Sequence, residues 1–235
     1  MTDLGKMKKI LGIRVERHWE KGPLKISQGP YIDIILTRFH MQNANPVSTP
    51  LNKSIKLTPN IKPTINVPYA KAIGLHMYAV LGTWPNLAFT IQHLSQFTMS
   101  FGLEQWTAVK HVFRYLKGTQ NGGIAFKREA NLDLEFFANS DYANWTDALS
   151  IGRYMAILRG GAISWSPWKQ KTVALSTMET EYMALTEGIY NIKELGELWA
   201  VSHKLIGQEL ALNKPQTSPE QAPNKPRTSA EKALK

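Results

Sequence analysis

The sequence predicts an α+β fold, and three observations carry that prediction. Short alternating segments near residues 11–26 and 122–138 read as strands, with a block of helical periodicity between them over 69–117. A strand, turn, strand, helix pattern then runs from Ala162 onward. With 43% hydrophobic residues, the 235-residue chain can build two small cores.

Taken in order, Leu11, Ile13 and Val15 alternate with Gly12, Arg14 and Glu16. Glu20-Lys21-Gly22-Pro23 turns the chain and Leu24-Lys25-Ile26 resumes the alternation, which predicts a β-hairpin. Pro30 suits the first turn of a helix, where its missing N–H costs nothing, and Ile32, Ile35, Leu36 and Phe39 form one apolar face. Asn45-Pro46 and Thr49-Pro50 stop that helix, and the prolines at 46, 50, 59, 63 and 68 read as a surface connection over 46–68. Three helices follow. The first holds Ile73, Met77 and Leu81, and the second starts at Thr83-Trp84-Pro85 and buries Ala88, Ile91 and Leu94. The third runs from Leu103 to Lys117, with Trp106, Val109, Phe113 and Leu116 as its apolar stripe and Gly118 as its stop. Lys110, Arg114 and Lys117 share another face of the third helix, either as ordinary solvated charge or as a cation array able to track a phosphate backbone.

Gly122 to Phe126 and Leu132 to Ala138 read as two strands, and the second delivers Asn139 and Asp141 to one face at its end. Ala162 to Trp165 and Thr172 to Leu175 are expected as two further strands joined by a Pro and Lys/Gln turn. Ser176 and Glu179 have capping-box spacing for a helix start. Leu185, Ile189 and Ile192 then suggest a core-facing stripe, with Glu181 one turn ahead of Leu185 on the same stripe. On spacing alone, Glu181 is an acid near a helix N-terminus, worth roughly 0.3–1 kcal/mol through the macrodipole. The stretch from Ala211 to Lys235, with Pro215, Pro219, Pro223 and Pro226, has too little apolar surface to order itself and reads as a disordered tail.

A net charge of +10 with a pI near 9.7 favours a polyanionic partner, nucleic acid before membrane. The absence of cysteine excludes disulfide scaffolds, thiolate zinc sites and cysteine nucleophiles. His18, His40, His76, His93, His111 and His203 lack zinc-ligand spacing and read as surface or cap residues. Lys6, Lys8 and Lys9 are not followed by a signal-peptide core, and no apolar run reaches the ~20 residues of a membrane helix. The expectation is an intracellular protein, cytoplasmic or nuclear, with no membrane partner.

The segments GGAISWS (160–166), KQKTVALST (169–177) and ETEYMAL (179–185) resemble the ribonuclease H domain of copia-type LTR retrotransposon Pol polyproteins. LGIRVERHWEKGPLKISQ, YIDIILTRFHM and NPVSTPL resemble the reverse transcriptase of the same polyproteins just after its polymerase aspartate pair, and TWPNLAF with EQWTAVKHVFRYLKGT resembles their thumb and connection. The resemblance runs in order over residues 1–200. It implies the end of the palm and start of the thumb over 1–45, a linker over 46–68 and thumb or connection helices over 69–120. After them it implies an incomplete ribonuclease H-like mixed sheet over 121–207, then a tail over 208–235. No Tyr-x-Asp-Asp sequence occurs, so the carboxylate pair that nucleotide transfer needs is missing and polymerase activity is not expected.

For the nuclease, the resemblance makes Glu181 one of four metal-binding acids, with Mg2+ or Mn2+ as the implied cofactor. Matching Asp141-Tyr142-Ala143 to the family's later aspartate puts Asn139 where the first catalytic aspartate belongs. Asn offers a neutral carbonyl oxygen and an amide donor of the wrong sign for a cation, and Asp141 lies roughly 6–7 Å further along the strand. Asn139 can also be read as an ordinary polar strand end. The segments carrying the third and fourth acids are absent from the sequence. Trp84 and Asn86 depart from the family's Arg-Pro-Asp, and the basic pair expected near 147–154 is lost, with Gly152 and Arg153 out of place. Three functions follow as expectations. The first is an inactive polyprotein fragment that binds RNA/DNA hybrid or other nucleic acid weakly. The others are a metal-dependent ribonuclease H working through Glu181 and Asp141, and a duplex-binding or assembly module meeting other polyprotein subunits. An incomplete sheet leaves an open edge, so marginal stability and association are expected.

Overall fold

A computed structural model describes residues 7–17, 22–52, 57–58, 63, 65–127, 133–142 and 149–212, with the backbone alone over 198–212. Of the tail expected over 208–235, residues 208–212 instead continue a helix, and the remainder, the Asp147 segment up to Ala148 and His18 lie outside the described residues. The chain divides into two units, Met1–Ile192 and Lys193–Lys235.

The first unit begins with β1 (Lys9–Ile10), β2 (Ile13–Arg17) and β3 (Leu24–Ser27). Leu11 and Gly12 both take positive φ in the two-residue turn between β1 and β2, the geometry that matches strand twist in tight hairpins. The hairpin expected from the alternation is β2–β3, with Val15 opposite Ile26. β4 (Ile124–Phe126) adds to β3, completing an antiparallel sheet in the order β1-β2-β3-β4. The strand pair read from 122–138 is therefore split between two sheets.

Four helices build the main core: α1 (Gly29–Arg38), α2 (Tyr69–Thr83), α3 (Ala88–Ser95) and α4 (Leu103–Thr119), with a 3-10 turn at Pro85–Leu87 ahead of α3. Pro30 sits in the first turn of α1, and Ile32, Ile35 and Leu36 are buried as the spacing predicts. Val109, Phe113 and Leu116 of α4 are fully buried and Trp106 partly so. Tyr69 stacks on Phe101 at 4.6 Å and donates its hydroxyl to the Leu94 carbonyl at 2.8 Å, which ties α2 to α3. The expected stripe of α2 is corrected. Leu81 is 72% exposed, and the buried face runs through Tyr69, Ala72, Ile73, His76, Ala79, Val80 and Thr83. This face mixes small and polar residues with large ones, so apolar spacing alone misplaces it. His76 is a core residue, contrary to the surface reading, with its ring 4.2 Å from that of Phe113.

The second sheet has the order β5-β6-β7, built from β5 (Leu134–Asp141), β6 (Ile151–Leu158) and β7 (Gly161–Lys169). α5 (Thr177–Leu212) follows it. β6 is a strand that the sequence reading did not assign, joined to β7 by an Arg159-Gly160 turn with positive φ at both positions. The expected break between Trp165 and Thr172 is also corrected. β7 continues through Pro167 to Lys169, and Thr172 to Leu175 form no strand. A proline without an N–H is tolerated here because β7 is an edge strand. The α+β class holds, but every described strand pair is antiparallel, so the expected mixed sheet is not formed among the described residues. No described strand follows α5 to supply a parallel partner.

The start of α5 has the predicted cap: Glu179 N–H donates to Ser176 Oγ at 3.2 Å, and Leu175 N–H donates to the Glu179 carboxylate at 2.7 Å. Its packing face differs from the expected one. Thr180, Ala184 and Gly188 are buried, while Leu185 and Ile189 are exposed, the latter by 54%. A Cβ at Gly188 would collide with the Phe136 ring, so small residues at four-residue spacing let the helix lie close on the sheet. Among the described residues, no helix is long and apolar enough to cross a membrane.

Candidate functional site

Successive residues of a strand point to opposite faces, and β5 shows which face each residue serves. Ser140 Oγ donates to Thr180 Oγ1 at 2.7 Å, and Phe136 lies against Gly188, so the even-numbered residues meet α5. The odd-numbered residues Phe137, Asn139 and Asp141 therefore belong to the other face. Across the ladder, Asn139 stands directly opposite Arg153 of β6.

Arg153, noted in the sequence only as out of place, takes a defined position here. Its Nη2 donates to Asn139 Oδ1 at 3.2 Å and to Asp141 Oδ1 at 3.4 Å, and its Cζ lies 5.5 Å from the centre of the Phe89 ring in α3. The two residues read as a degraded acid pair thus share one fixed cation. Glu181 lies elsewhere: it accepts a hydrogen bond from the Ser140 backbone N–H at 3.2 Å, at the outer side of β5. The Glu181 carboxylate therefore reaches the same strand end, but through the backbone and from the α5 side.

The donor set does not fit a divalent metal pair. Asn139 is neutral, Asp141 is ion-paired with Arg153 and Glu181 is bonded to a backbone amide. No group of three or more His, Asp or Glu side chains that could hold a metal ion occurs among the described residues.

Next to Arg153 lies a cavity of about 500 Å³ lined by Pro85, Phe89, Phe137, Asn139 and Trp165, among others. Trp165 is held in place by its Nε1–H, which donates to the Val80 carbonyl at 3.1 Å. Trp84 and Asn86, the departures noted in the sequence, belong to the packing around this cleft. Trp84 is buried edge-on to Tyr115, and Asn86 Nδ2 donates to the Tyr115 hydroxyl. Burial raises the Tyr115 pKa, and the Asn86 bond opposes it.

The basic face of α4 is half-buried along its length. Arg114 Nε donates to the Asn45 carbonyl at 2.7 Å, and His111 lies 2.9 Å from the Thr49 carbonyl. Arg114 thus fastens the segment after α1 to α4, while Lys110 and Lys117 flank it.

Against known proteins, 196 residues of the chain, or 80% of it, are 40% identical to the "Retrovirus-related Pol polyprotein from transposon TNT 1-94" of Nicotiana tabacum. The chain is 32% identical over 190 residues to the "Uncharacterized mitochondrial protein AtMg00810" of Arabidopsis thaliana, covering 79% of this chain and 77% of that protein. The chain belongs to the copia-type retrotransposon Pol polyprotein family. It spans only 15% of the tobacco Pol polyprotein's length. A further relative of this Pol-derived chain is the "Secreted RxLR effector protein 161" of Plasmopara viticola, 42% identical over 123 residues, which are 52% of this chain and 87% of that protein. No family profile matches the chain, and no solved structure matches it.

Proposed function

We propose that this Pol-derived chain binds nucleic acid, an RNA/DNA hybrid among its ligands, without cutting it. The observation that carries the reading is the end of β5, where Arg153 holds the neutral Asn139 and the carboxylate of Asp141 together. Cutting a phosphodiester through metal ions needs anionic oxygens gathered on one point. In this reading β5, β6, β7 and the first turns of α5 are the remaining part of a ribonuclease H-like layer, and α1 to α4 descend from the polymerase thumb and connection. The net charge of +10 and the cations of α4 supply the attraction to phosphate.

The deciding assay is cleavage of the RNA strand of an RNA/DNA hybrid in Mg2+ and in Mn2+, run beside Asn139→Asp and Glu181→Gln. No cleavage is expected from the natural sequence. Cleavage that vanishes in Glu181→Gln would make the chain a live ribonuclease and overturn the proposal. Binding is tested by Lys110→Ala with Lys117→Ala, which spares the Arg114 tie to Asn45. A weaker complex with a shallower salt dependence is expected, and an unchanged one would remove these lysines from the interface.

A further inference from the structure

We infer that the cavity beside Arg153 is a pocket for one nucleotide of a single strand, with its phosphate on the guanidinium, its base against Phe137 and no metal ion required. The inference rests on the nucleic-acid-binding reading above and adds the form of the ligand.

The guanidinium is anchored on one side only. Both of its hydrogen bonds leave from Nη2, so Nε and Nη1 have no partner among the described residues. Its Cζ also sits over the Phe89 ring, 5.5 Å from the centre, a second contact on the same cation. A planar cation held in this way is pre-organised to grip a phosphate with two parallel hydrogen bonds. The charge at position 139 decides whether an anion can approach. With Asn139, the Arg153–Asp141 pair sums to zero, and an aspartate there would leave a net negative charge facing the phosphate. The residue that spoils the expected metal site is thus the one that admits an anion without metal.

The cavity supplies the rest of the ligand's shape. Its volume, about 500 Å³, falls in the range of roughly 300–1,000 Å³ typical of small organic ligands. The rings of Phe89, Phe137 and Trp165 give it flat apolar walls, which suit a planar base. Phe137 is 55% exposed, a large apolar surface next to a cation. Asn86 and Asn139 place amide groups in the lining, able to meet the donor and acceptor edge of a base. A base paired within a duplex cannot reach such a recess, so the ligand is a single strand or a strand end.

The test uses the whole chain in EDTA, with adenosine, AMP and a short single strand carrying 2-aminopurine as probes. The strand is expected to bind with a change in 2-aminopurine fluorescence, and AMP to bind more tightly than adenosine. Phe137→Ala, at an exposed position, should lower affinity about tenfold through loss of stacking. Arg153→Gln should make AMP and adenosine bind alike, and Asn139→Asp should weaken AMP binding. Unchanged AMP and strand affinity in Phe137→Ala and Arg153→Gln would overturn the pocket. So would binding that appears only when Mg2+ is added. If the Lys110 and Lys117 double variant loses the strand while the pocket variants keep it, the nucleic-acid reading stands and the pocket falls. If the natural chain binds no strand or duplex, both fall.

Discussion

In the helical block, Ile32, Ile35, Leu87, Ile91, Leu94, Phe113 and Leu116 are wholly enclosed, whereas α5 meets its sheet with Thr180, Ala184 and Gly188. The larger residues Met178, Tyr182, Leu185 and Ile189 of α5 stay outside. The first region is stabilised by the volume it buries, and the second by the closeness of two backbones. Loss of volume therefore damages the first, and added volume damages the second.

The comparison predicts four effects of decreasing size. Phe113→Ala removes a ring of α4 packed on Phe39, just after α1, and on His76 of α2, and should cost about 3–5 kcal/mol in urea denaturation, with loss of the main cooperative transition. A small loss there would mean that the block tolerates cavities and the contrast fails. Acid should weaken the same block through His76. Burial holds its pKa down at about 4, with the Ala72 backbone pulling weakly the other way, and neither ring nitrogen has a well-formed hydrogen bond among the described residues. The unfolded chain takes up this proton near pH 6.5 and the folded chain only near 4, so the stability contributed is complete above about 6.5 and fades as pH falls to 4. The full effect is about 3 kcal/mol, and His76→Leu should flatten the stability profile across that interval.

Gly188→Val should cost about 1–3 kcal/mol by lifting α5 from Phe136, read as a lower melting temperature with loss of near-ultraviolet signal from the sheet aromatics. An unaffected melting curve would mean that α5 is not closely seated. Tyr182→Ser and Ile189→Gln on the outer face should each stay within about 0.5 kcal/mol, because these side chains gain little from folding. A larger loss would show that the outer stripe is covered in solution.

The same contrast explains what could be read in advance. α1 and α4 were legible because proline placement and large apolar residues at helical spacing mark the same face that packs. For α5 that rule pointed at Leu185 and Ile189, since size, not fit, is what spacing detects. Asn139 was singled out through family resemblance. Arg153 was not, because its meeting with Asn139, 14 residues away, depends on the register of a strand that no alternation announced. Pro167 disguised the length of β7 in the same way, by suggesting a turn where an edge strand continues.

Pro167 also makes the two borders of this sheet unequal. The ladder along the outer side of β7 is interrupted where proline has no N–H to give, while along β5 the Ser140 N–H is met, among the described residues, by the side chain of Glu181 and by no strand. Recruitment of a foreign strand is consequently one-sided. Within this sheet, two copies joined through β5 would each turn the proline-bearing border of β7 outward, where a further strand finds one hydrogen-bond donor missing.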